Sequence, residues 1–63
     1  MTIFGKKLKK YREKAGMTIS ELAQKTGING YNIIAFEDSG RSPRVVDLIE
    51  MAYALKIETT ELL

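Results

Sequence analysis

The stretch "ELAQKTGINGYNIIAFE", Glu21 to Glu37, changes its hydrophobic rhythm at a glycine. Before Gly27, Leu22 and Ala23 sit in a short helical pattern. After it, Ile28, Ile33 and Phe36 begin a second pattern that is out of phase with the first. The first helix has a clear start, because Thr18 followed three residues later by Glu21 makes a capping box, in which each side chain satisfies a backbone N–H of the first turn. Met17 and Leu22 stand where a hydrophobic staple would close over that start. Gly27 can take the left-handed conformation that ends a helix at low cost. Asn29 is then a good N-cap for the next helix, from about Gly30 to Asp38.

Working outward, Phe4, Leu8, Tyr11 and Ala15 form one apolar stripe on a first helix from about Ile3 to Ala15, with Gly16 at its cap. The run "SGRSP" reads as a loop. Ser42 as N-cap and Pro43 at the first helical position would open a fourth helix through about Leu55. Its expected core stripe is Val45, Leu48, Ile49, Ala52 and Leu55. A short fifth helix starts near Thr59 or Thr60 and contributes Leu62 and Leu63. The pattern is all-α: one domain over residues 1–63, with five short helices around one core.

Two short helices joined by a tight glycine turn make a helix-turn-helix, which lets the second helix project into the DNA major groove. Ala23 is small where the helices cross, and Leu22, Ile28, Ile33 and Phe36 hold both to the core. Thr26 stands where an aliphatic residue would pack better.

With 63 residues the chain lies near the lower limit for folding without staples, and it has neither Cys nor His. No disulfide and no thiolate or imidazole metal site can form. The 44% hydrophobic content must supply the core. No apolar run approaches the roughly 20 residues of a membrane span. The start "MTIFGKKLKK" has no apolar stretch after its charges, so a cytoplasmic location is expected. The net charge of +2 is unevenly spread. Residues 1–16 carry Lys6, Lys7, Lys9, Lys10, Arg12 and Lys14 against Glu13 alone, whereas the rest of the chain is acidic. Such polarity suits a basic end that meets nucleic acid, or simply a solvated helix.

The full order of elements resembles the lambda-repressor-like and Cro-like helix-turn-helix regulators. The basic opening "FGKKLKKYREKAG", the "ELAQKTGI" segment, Ile33, Phe36 and Glu37, the loop "SGRSP", the apolar "VVDLIEMAYAL" and the closing "IETTELL" follow the family's sequence. The resemblance implies a DNA-binding transcriptional regulator, a repressor or the DNA-binding part of one, acting as a homodimer on a palindromic operator. It also implies that Glu37 leans inward and accepts hydrogen bonds from the loop or an arginine. Two positions depart from the family. Ile19 stands where many members have a polar residue, often Gln, and "GYNIIAFE" is poorer in polar residues than most recognition helices.

At about 100° per residue, Ile33, Phe36 and Glu37 fall on the inner side of the second motif helix. Tyr31, Ile34 and Ala35 fall on the outer side, flanked by Asn32 and Gly30. Asn32 offers a carboxamide suited to adenine, Tyr31 a hydroxyl, and Ile34 and Ala35 apolar contact with thymine methyls. Asn32 as a helix-start cap, and Tyr31 with Ile34 as a protein-binding patch, are the plainer alternatives. Expected phosphate contacts are Thr18 and Ser20 at a helix start, the Gly30 backbone, Lys10, and, as the resemblance implies for the loop, Arg41 and Arg44. Val46, Glu50 and Tyr53 recur at one side of the fourth helix. With Leu62 or Leu63, Val46 and Tyr53 suggest an apolar dimer patch, and the resemblance points the same way. No nucleophile, phosphate loop or metal cluster is present, and Glu37 and Asp38 diverge on a helix, so no enzyme and no cofactor are expected.

Overall fold

The computed structural model describes residues 2–63, and all regular structure among them is helical. Helix α1 spans Ile3–Lys14, α2 Ile19–Thr26, α3 Gly30–Ile34 and α4 Val45–Leu55. Helix α3 runs directly into a π-helical segment, Ala35–Ser39, and the chain closes with a 3-10 helix, Thr59–Leu62. The five expected elements are all present. The third, however, is an α-helix only as far as Ile34.

Local chemistry sets the boundaries around the glycine turn. Thr18 Oγ1 accepts from Glu21 N at 3.1 Å and Glu21 Oε1 accepts from Thr18 N at 2.9 Å, completing the capping box. Gly27 ends α2 at φ 73°, and its N–H donates to Ala23 O at 2.8 Å. Asn29 Oδ1 caps α3 by accepting from Tyr31 N at 2.8 Å. Thr26 is no weak point. Its hydroxyl donates to Leu22 O at 2.7 Å and accepts from Ile28 N at 3.2 Å, so it satisfies groups that the turn would otherwise orphan.

The core gathers Leu8, Leu22, Ile28, Ile33, Phe36, Met51, Ala52, Leu55 and Leu62, with Phe4 edge-on to Phe36 at 6.2 Å between ring centres. A buried ion pair crosses it. Arg12 Nε and Nη2 meet Glu37 Oε2 and Oε1 at 2.7 and 3.0 Å, and Arg12 Nη1 donates to Met17 O at 2.8 Å. One guanidinium therefore joins α1, the entry to α2 and the π segment beyond α3. This is the arginine partner expected for Glu37, and it removes Arg12 from the basic surface.

Helix α4 differs from expectation in its start and its rotation. It begins at Val45, not Pro43, because Asp47 fixes the first turn. The Asp47 carboxylate accepts from Arg44 N at 3.3 Å and from Arg44 Nε and Nη2 at 3.0 and 2.8 Å. Asp47 lies on the inner side of α4, and Met51, one turn on, joins Ala52 and Leu55 in the core. Val45 and Ile49, expected in the core, are exposed instead. Tyr11 is half-buried and Ala15 exposed, so the inward face of α1 is Gly5, Leu8 and Arg12.

Candidate nucleic-acid interface

Between α2 and α3 lies an open, mainly apolar groove. Ile19, Ser20, Ala23 and Gln24 form one wall, and Ile28 to Tyr31 with Ile34 form the other. Tyr31 projects from the outer face with 83% of its surface exposed, and Ile34 is exposed beside it. A Cβ added at Gly30 would stand 3.6 Å from Ile19 Cγ2, an ordinary packing distance. The close neighbour of Gly30 is thus Ile19, which is half-buried against the core rather than reaching outward as a polar residue would.

The outer face is held at both ends. The Gly27 turn fixes its start, and the Arg12–Glu37 pair anchors the segment that follows. Asn32 is half-buried and does not cap α3, since Asn29 does. Its Oδ1 accepts from Arg41 Nη1 at 2.7 Å. Ala35 is half-buried and opens the π segment; its carbonyl accepts the Gly40 and Arg41 N–H groups, with Gly40 at φ 76°.

The cations divide differently from their sequence grouping. Arg41 is exposed beside Asn32, and the ion pairs among the described residues are Arg12–Glu37 and Arg44–Asp47. Arg44 is raised above its ordinary pKa by its hydrogen bond to Asp47, and the same bond lowers Asp47. Arg44 Nε and Nη2 are engaged at the start of α4, whereas Arg41 forms none of the ion pairs among the described residues. Lys10 lies 5.7 Å from the centre of the Tyr11 ring, and the Tyr11 hydroxyl reaches Glu61 at 3.4 Å. That contact groups Lys10 with the C-terminal side of the molecule, not with the groove. Lys7 Nζ donates to Leu63 O at 2.9 Å. Three of the six α1 cations are thus accounted for within the molecule: Arg12 with Glu37, and Lys7 and Lys10 on the side of the C-terminal segment. Thr18 is committed to its capping box, while Ser20 is exposed on the groove wall.

A protein-family model described as a helix-turn-helix domain matches residues 5–63. The chain belongs to the helix-turn-helix domain family. It is also similar to the crystal structure of the restriction-modification controller protein C.AhdI from Aeromonas hydrophila. The two share 30% identity and a TM-score of 0.91 over 97% of this chain and 92% of that one. A search of curated protein sequences gave no match. These findings agree with the resemblance to lambda-repressor-like and Cro-like regulators. In this helix-turn-helix domain α3 occupies the place of the recognition helix.

On the opposite side, Val46 and Tyr53 are exposed as expected, and so is Leu63. Leu62 is not: it is fully buried, because the 3-10 helix turns it into the core and leaves Leu63 outside. Val45, Val46, Ile49 and Tyr53 instead make one continuous outer stripe on α4, within about 100° of one another around the helix. Gln24 was missed as a groove residue. Its polar side chain on the exposed side of α2, one residue after the crossing alanine, was the available signal. Among the described residues no helix is long and apolar enough to cross a membrane.

Proposed function

We infer that this chain is a sequence-specific DNA-binding transcriptional regulator. In this reading α3 enters the major groove, and two copies pair on a two-fold-symmetric operator. The observation that carries it is the exposed Tyr31–Ile34 face of α3, braced by Gly27 and by the Arg12–Glu37 pair, in a backbone that follows a restriction-modification controller closely. Rigid mounting matters, since base edges are read by hydrogen bonds only a few tenths of an ångström tolerant. Tyr31 and Asn32 supply the polar contacts, and Ile34 packs on a thymine methyl, with Ala35 as a lesser neighbour. Ser20 and Arg41 hold the flanking phosphates, assisted by the N-terminus of α2. The work is binding, with no catalytic step.

The α4 stripe of Val45, Val46, Ile49 and Tyr53, with Leu63 nearby, suits pairing with a second copy. Such a dimer would set two recognition helices about 34 Å apart, one turn of DNA. Bound over a promoter, it would repress by occupancy.

The test is selection from random duplexes, followed by titration of the selected site and an unrelated duplex at several salt concentrations. Selected sites should be two-fold symmetric, and log K should fall linearly with log salt. Equal affinity for every duplex would overturn the reading. It would favour protein binding through the apolar groove instead.

A further inference from the structure

We propose that Arg41 is a positioning residue for base reading: it turns the Asn32 carboxamide so that its NH2 group leads into the major groove and its oxygen is held back. This rests on the DNA-binding reading above. Arg41 Nη1 lies 2.7 Å from Asn32 Oδ1. A guanidinium carries only donors, so the atom facing it is the carboxamide oxygen, and the orientation of the amide follows. Arg41 is itself held from behind. Gly40 takes a left-handed turn at φ 76°, and Arg41 N–H donates to Ala35 O at 3.2 Å, which returns the loop beside α3. The two other arginines are tied to Glu37 and Asp47, so no carboxylate competes with Asn32 for this guanidinium among the described ion pairs.

The consequence is a change of base preference. An unrestrained carboxamide pairs with adenine by accepting from the N6 amino group and donating to N7. Here the oxygen already meets a cation, and an incoming amino group would approach that same positive charge. With its oxygen turned back toward Arg41, the NH2 of Asn32 presents a donor-only surface. Such a surface fits the O6 and N7 acceptors of guanine and disfavours adenine's amino group. Arg41 can also donate to a phosphate from its other edge, so one side chain links backbone anchoring to base reading.

The experiment selects sites from a random duplex library with wild type, Asn32→Ala, Arg41→Ala, Arg41→Lys and the Asn32→Ala/Arg41→Ala double variant. Both side chains lie outside the core, and circular dichroism checks that each variant is folded. Wild type should require guanine at one position of each half-site. Asn32→Ala should lose about 5- to 100-fold discrimination at that position. Arg41→Ala should shift the preference at the same position toward adenine, and the double variant should discriminate no worse than Asn32→Ala alone. Arg41→Lys should keep the salt slope but relax the preference, because one ammonium cannot hold the amide plane and a phosphate together. If Arg41→Ala weakens all sequences alike and leaves every base preference intact, the positioning role is refuted. A wild type with no preference at any position would refute the DNA reading itself, and the proposal with it.

Discussion

Gly5→Ala should destabilise the domain, although alanine is the better helix former. Gly5 is buried on the inner face of α1, where α1 meets the π segment. A Cβ there would stand 2.6 Å from Phe36 O and 2.7 Å from Glu37 O, with Glu37 C at 3.2 Å. The obstacles are backbone carbonyls, which cannot rotate aside as the end of a side chain can. Relief requires α1 and the π segment to separate by several tenths of an ångström, at an overpacking cost of about 1–3 kcal/mol. Alanine returns about 1 kcal/mol through helix propensity. Two simultaneous backbone contacts put the cost toward the upper end, so the net loss should be about 1–2 kcal/mol. For a domain of this size that lowers Tm by roughly 4–16 °C. Urea and thermal unfolding followed by circular dichroism measure it. Stability equal to or greater than that of wild type would overturn this expectation. It would mean that the close approach of α1 to the π segment is not a constraint of the native state.

Breaking the buried pair with Glu37→Leu or Arg12→Met should cost about 3–5 kcal/mol, while the double variant Arg12→Met/Glu37→Leu should cost less than the sum; denaturation of the three variants decides it. Leu62→Ala should lose about 2–5 kcal/mol and Leu63→Ala little, which urea midpoints will separate. Lys56 ends α4 at φ 58°, so Lys56→Gly should raise stability by about 1 kcal/mol in the same assay. Hydrogen bonds from Arg44 lower Asp47, and hydrogen bonds from the Thr18 backbone and side chain lower Glu21. Their depressed folded pKa values stabilise the domain above the ordinary carboxylate range, near pH 4, and that contribution should disappear as pH falls further. Unfolding midpoints measured from pH 6 down to pH 2 check it.

Where local chemistry decides structure, the sequence was readable. The capping box at Thr18 and Glu21, the left-handed Gly27 and the Asn29 cap fix α2 and the start of α3 with no reference to the rest of the chain. Helix α4 was not readable in phase, because "VVDLIEMAYAL" is apolar around most of its circumference and periodicity cannot choose a face. In the folded chain Asp47, paired with Arg44, lies on the inner side with Met51, while Val45 and Ile49 lie outside. The π segment leaves no such trace, since Ile33, Phe36 and Glu37 face inward under either helical period. The need for glycine at position 5 exists only once α1 packs on carbonyls about thirty residues away. Within the candidate interface, Tyr31 and Ile34 followed from helical spacing alone. The Asn32–Arg41 bridge could not, because the turn at Gly40 brings the two together.

Whether the α2–α3 face meets DNA is decided by an NMR titration of the folded protein with a selected duplex. The largest amide and side-chain shifts should fall on Ser20, Gln24, Gly30 to Asn32, Ile34 and Arg41, with smaller shifts on the exposed α4 stripe, where only the pairing of two copies would be felt. Shifts concentrated on α1 lysines or on the Val45–Tyr53 stripe, with the α2–α3 groove unchanged, would contradict that contact.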